Sequence, residues 1–164
     1  MMDLVFNNST KSKKFTSRFF KKILNQASSE LHLKFGLGLS VNLVSQAKIK
    51  SLNKKYRHQN KATDVLSFPL HDLSSYQKKN HGVILELGDI FICPDFVNDK
   101  IVLQNRGSQI RQRRIGITHK TKLASEMKFL TVHGFLHLLG YDHEKSKTEE
   151  KKMFQLQNKI LNKL

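Results

Sequence analysis

Three histidines near the end of the chain constrain this sequence more than any other feature in it. In the segment His133-Gly134-Phe135-Leu136-His137-Leu138-Leu139-Gly140-Tyr141-Asp142-His143, the first two histidines are four residues apart. On a helix that spacing puts them on one face, one turn apart. Val132, Phe135, Leu136 and Leu139 recur at i, i+3, i+4 and i+7, which predicts a separate face turned to the core. Gly140 can adopt the left-handed conformation that ends a helix and turns the chain back. His143 then returns within reach of the other two. The chain must therefore build a rigid helix, packed on a core, with imidazoles at its end.

Zinc gives this spacing its chemistry. Neutral imidazole binds Zn²⁺ at about 2.0–2.1 Å, and three such ligands leave a fourth tetrahedral position open, the pattern of catalytic sites. His133, His137 and His143 are the candidate ligands, for one zinc per chain; nickel or another divalent ion would also suit three imidazoles. The spacing is that of the HExxHxxGxxH metallopeptidases. Their general base, the Glu after the first His, is Gly134 here, so peptide hydrolysis by that route lacks its base. Asp142 either orients an imidazole from behind or acts on the water. His32, His58, His71, His81 and His119 have no ligand-like spacing. Cys93, at the end of an apolar strand, reads as a small core residue.

The rest of the chain mixes helices and strands. Phe20, Ile23, Leu24, Ala27 and Leu31 predict a helix that ends before Gly36. Leu39, Val41 and Leu43 alternate with polar residues as a half-buried strand does. Ser45 can cap a second helix through Ile49, Leu52 and Tyr56. Val65 to Phe68 and Glu86 to Cys93 read as strands, separated by a polar loop from His71 to Gly82. A helix is expected over about Ala124 to Leu139. Ser146 and Glu149 form a capping box for a last helix with Met153, Leu156 and Ile160 inward. The expected fold is α+β: a single compact domain, a small mixed sheet of about four strands, about five helices and a metal site at a helix end. Residues 1–18 are expected to be a basic N-terminal arm with a short strand at Leu4 to Asn7. Residues 19–164 are expected to form a single zinc hydrolase domain, interrupted by a basic, insertion-like loop at about 100–123.

Charge points to the partner. The 164 residues carry 29 Lys and Arg against 13 Asp and Glu, a formal net charge of +16. Such a balance favours nucleic acid or an anionic membrane surface. Seven of the basic residues, and no acid, fall between Lys100 and Ser125. Among them Arg106, Arg111, Arg113, Arg114, Lys120 and Lys122 are candidate phosphate contacts that could guide a single strand toward the metal; a solvated charged loop is the alternative. One cysteine excludes a disulfide framework within the chain. The start has no apolar run of a secretory signal, and no stretch is long enough to span a membrane. A soluble, cytoplasmic protein is expected.

The segment His133 to His143 resembles the YbeY family of bacterial ribosomal RNA maturation factors, single-strand-specific endoribonucleases, whose HGxLHLxGYDH hallmark it matches throughout. Leu52-Asn53, Tyr56-Arg57, Thr63 to Pro69, Leu87 to Ile90 with Cys93-Pro94, and Leu130 to Val132 resemble further family segments in the same order. The resemblance covers most of Val41 to Met153. It implies zinc on the three histidines, a single-stranded RNA substrate, and a part in ribosomal RNA processing that includes the 3′ end of the small-subunit RNA. It also implies an arginine important for activity at Arg57, which could hold a phosphate and stabilise charge in the transition state. The ribosome or its proteins are then expected partners. Asn60-Lys61-Ala62 departs from the family pattern, which has an acid there, and the segment from Asp95 to Glu126 is longer and more basic than that pattern. The competing reading is a non-catalytic, ribosome-associated RNA-binding factor with a structural zinc. A third is a zinc hydrolase for another substrate.

Overall fold

The computed structural model describes residues 2–33, 36–70, 84–105 and 119–164. Among these residues four strands form one sheet in the order β1-β2-β4-β3: β1 Met2–Asn8, β2 Leu37–Leu43, β3 Val65–Pro69 and β4 Leu85–Ile92. β1, β2 and β4 run parallel, and β3 is antiparallel to β4, so the sheet is mixed. Among the described residues five helices accompany it: α1 Ser17–Glu30, α2 Gln46–Arg57, α3 Pro94–Asn105, α4 His119–Leu138 and α5 Lys147–Leu161. This is the α+β domain that the pattern predicts.

The helices divide between the two faces. α1, α3, α4 and α5 cover one face. There Phe20, Ile23, Leu24 and Ala27 of α1 meet Leu39 and Val41 of β2, Ile90 and Ile92 of β4, and Val132, Phe135 and Leu136 of α4. α2 covers part of the other face, where Ile49 packs with Leu66, Val44 and Cys93. Cys93 is fully buried, as expected, and burial pushes its thiol up, so it stays protonated. One irregularity keeps the buried side chains of β4 on one side of the sheet. The register with β2 slips beside Gly38 and Leu39, leaving Leu87 without a partner. Gly88 takes φ +127° at this bulge, and a Cβ there would stand 2.1 Å from the Phe68 carbonyl oxygen. The bulge shifts the alternation by one, so Leu85 and Leu87 before it and Ile90 and Ile92 after it all face the same core.

Some boundaries differ from the sequence expectation. β1 spans Met2–Asn8, is paired along its whole length with β2, and stacks Phe6 on Phe20 at 5.3 Å. Phe15 is buried too. Residues 2–18 are thus fastened to the fold at both of these points, and the strand is longer than the expected Leu4 to Asn7. α1 ends at Glu30, well before Gly36. The turn is made by His32 (φ +52°), whose N–H donates to Ser29 O while the Leu33 N–H donates to Ser28 O. α4 begins at His119, not near Ala124, and α3 runs to Asn105. Both ends of the expected 100–123 loop are therefore helical. The polar loop from His71 to Gly82 lies outside the described residues.

Candidate metal centre

The site is assembled where α4 ends. Gly140 takes φ +82° and donates its N–H to His137 O at 2.9 Å, while the Tyr141 N–H donates to Leu136 O at 3.1 Å. This paired closure ends a helix with a left-handed residue and reverses the chain. Asp142 Oδ1 then accepts from the Glu144 N–H at 2.9 Å, tightening the turn that carries His143. His133 and His137 share one face of α4, as their spacing requires. The three rings lie with centroids 4.7 to 5.1 Å apart. One ligand nitrogen from each falls within 4.8 Å of the others.

The surroundings hold these rings in place. His133 stacks on Phe129, and His143 stacks on Phe154 of α5. His133 Nδ1 lies 3.1 Å from Gln157 Oε1, and His133 Nε2 lies 3.1 Å from His137 Nε2. Burial, reinforced by the neighbouring histidines, lowers the pKa of His137 to about 4. Burial also lowers that of His133. Two of the three imidazoles are thus kept neutral near pH 7, the form that binds a metal ion. Three convergent, half-buried imidazoles, two of them kept neutral, fit a divalent ion well.

Gly134 explains why no glutamate follows the first histidine. A Cβ there would stand 2.9 Å from both Ile90 Cγ2 and Ser67 Oγ. The helix lies so close to β3 and β4 that this position has no room for any side chain.

The three histidines line an open cleft of about 640 Å³ with Arg57, Asp64, Ser67, Asp142 and Glu144. Arg57, at the end of α2, reaches it from 87 positions away in sequence to pair with Glu144 at 3.3 Å. Both partners are well exposed, 48% and 64%. Such a pair is worth about 0–1 kcal/mol and holds the guanidinium only weakly. Lys120 and Lys122 stand on the first turns of α4 instead of in a loop. Arg106, Arg111, Arg113 and Arg114 lie outside the described residues, as do His71 and His81. His32 and His58 are left-handed residues at helix ends. Sequence reading missed Asp64, Glu144 and Gln157. Gln157 did leave a signal, a polar residue in the inward stripe between Met153 and Ile160.

Fold and site together define the class: an α+β protein with three imidazoles converging at an open cleft. The chain belongs to the endoribonuclease YbeY family, whose model matches residues 5–164. It is 39% identical to the endoribonuclease YbeY of Oenococcus oeni over 145 residues, 88% of this chain and 84% of that one. It is 35% identical to the Sulfurihydrogenibium sp. relative, with 98% and 91% covered. A Thermotoga maritima protein solved in solution superposes with a TM-score of 0.50 at 28% identity, covering 98% of this chain and 87% of that one. Membership places the chain among RNA-cutting nucleases. Among the described residues no helix is long and apolar enough to cross a membrane.

Proposed function

We propose that this protein is a zinc-dependent endoribonuclease that cuts single-stranded RNA during ribosomal RNA maturation in the cytoplasm, including the 3′ end of the small-subunit RNA, with the ribosome as its setting. The observation that carries this reading is the convergence of His133, His137 and His143 in a cleft that Arg57 reaches from the opposite layer. Zinc at such a site supplies a Lewis acid for a phosphoryl oxygen and lowers the pKa of water. The chain's own residues do the rest. His133, His137 and His143 hold the ion. Arg57 exchanges Glu144 for a substrate phosphate and, as a planar fork, stabilises the charge that builds in the transition state. Asp142 belongs to the site through one carboxylate oxygen, which shapes the turn presenting His143. Its other oxygen is the proposed proton acceptor, because Gly134 leaves no space for a glutamate. Lys120 and Lys122, with Arg106, Arg111, Arg113 and Arg114, are the proposed contacts to the RNA backbone.

Cleavage of a labelled single-stranded ribosomal RNA fragment by the wild type and by His137→Ala, matched for folding by circular dichroism, tests the reading. Wild-type cleavage that the variant loses is the expected result. Equal cleavage by both would place the activity elsewhere. Binding without cleavage by both, with ribosomes present, would establish the RNA-binding factor instead. A DNA strand of the same sequence reports on the nucleophile, since its cleavage excludes obligatory attack by the ribose 2′-hydroxyl.

A further inference from the structure

We propose that Gln157 is a positioning residue for the metal centre, fixing His133 in the tautomer whose Nε2 lone pair faces the other two histidines. The proposal rests on reading those histidines as metal ligands. Gln157 is fully buried on α5, in the inward stripe with Met153 and Ile160. Its Oε1 lies 3.1 Å from His133 Nδ1, and a carbonyl oxygen can only accept there. Its Nε2 is buried with no hydrogen-bond partner among the described residues. That is an unfavourable residue to keep in a core, since an apolar side chain of similar size would leave no amide N–H unpaired.

The amide's orientation supplies the reason to keep it. With Oε1 toward the ring, Nδ1 carries the proton and Nε2 carries the lone pair. Nε2 is also the atom that faces His137 at 3.1 Å. With an apolar residue at this position, the proton could sit on either nitrogen, and on Nε2 it would block a cation. Phe129 fixes the plane of the same ring by stacking at 5.9 Å and 10°. Phe129 therefore sets the plane and Gln157 sets the proton. Histidines that bind metals characteristically have such a partner behind them, and losing it weakens binding.

The test compares wild type, Gln157→Met and Gln157→Glu, each stripped of metal and then titrated with zinc against a chelating dye. Melting temperature and the nitrogen NMR shifts of the His133 ring are read on the same metal-free samples. Gln157→Met is expected to melt no lower than wild type, yet to bind zinc about 10–100-fold more weakly. Its His133 ring should show a mixture of tautomers. Gln157→Glu, which keeps an acceptor oxygen, is expected to bind zinc within about threefold of wild type. A purely structural glutamine would give the reverse pattern, a lower melting temperature with affinity unchanged, and that result overturns the proposal. So does a wild-type His133 with its proton on Nε2. Should the wild type bind no zinc, the metal reading fails, and the ring shifts still decide whether Gln157 sets the tautomer. Should Gln157→Met not fold, the wild-type shifts and the Gln157→Glu affinity decide it.

Discussion

Single residues at this site are set by what their neighbours leave free. His137 is held at about 4 and His133 below the ordinary 6.5, in both cases chiefly by burial. In the unfolded chain both take up protons near 6.5, whereas the fold resists this until lower pH. Between those values the unfolded state binds more protons, so the stability of the metal-free protein rises with pH. The contribution is complete above 6.5 and is lost as pH falls toward about 4. Thermal melts of metal-free protein from pH ~7 to ~4.5 should show this loss, and His137→Gln should flatten it. An unchanged slope in the variant would show that the ring is not desolvated as described. Gly134 is limited by space in the same way. Alanine would ordinarily gain about 1 kcal/mol over glycine inside a helix. Here its Cβ meets Ile90 Cγ2, a stiff branched carbon in the core, at 2.9 Å. Gly134→Ala is expected to lose about 1–2 kcal/mol in urea denaturation, and Gly134→Glu more, without gaining peptidase activity.

The elements show how much the sequence could disclose. Amphipathic stripes and caps are local. On α2 the expected face buries Ile49 but leaves Tyr56 53% exposed. The stripes of α1 and α5 and the serine caps at Ser45 and Ser146 were legible. So was the turn at Gly140, where glycine and left-handed backbone coincide. That turn is also where backbone conformation governs function. Beyond its own stretch of chain, no atom of the described residues lies within 4 Å of a Cβ built on Gly140, so Gly140→Ala is strained by its φ of +82° alone. It should cost about 1–2 kcal/mol of stability and, by displacing His143, weaken zinc binding, both read by thermal melts with and without the metal. α1 ends before Gly36 as expected, but its left-handed closing residue is His32 and not that glycine. His32 sits at φ +52° in the same two-bond closure that Gly140 makes. Relieving it with His32→Gly should stabilise the protein by about 0.5–1 kcal/mol in urea denaturation, leaving zinc affinity unchanged. The start of α4 was hidden for another reason. His119 to Lys122 have no apolar stripe to announce a helix, and the first buried anchors of α4 are Leu123 and Met127.

At the scale of the whole molecule, the sequence was informative about partners and silent about pairing. The number of strands and the three-histidine cluster could be read from local patterns. The order β1-β2-β4-β3, the bulge at Gly88 and the meeting of Arg57 with Glu144 could not, because each joins residues far apart along the chain. Net charge behaves differently, since +16 acts at long range and needs no register. On the RNA reading, much of the affinity is counterion release, and log K should fall linearly with log salt by about 0.7 for each phosphate neutralised on a single strand. The location of those contacts is then measurable. Lys120 and Lys122 share the opening turns of α4, the helix that ends in the histidines, so a strand lying along it would meet them before the metal. Replacing both with glutamine should make the salt slope shallower by up to ~1.4 while leaving zinc affinity intact. An unchanged slope would mean that these lysines are a solvated face and that the phosphates are held elsewhere, with Arg57 as the next position to neutralise. A shallower slope would run the bound strand along α4 toward the cleft, and would give the excess of basic residues a direction as well as a sign.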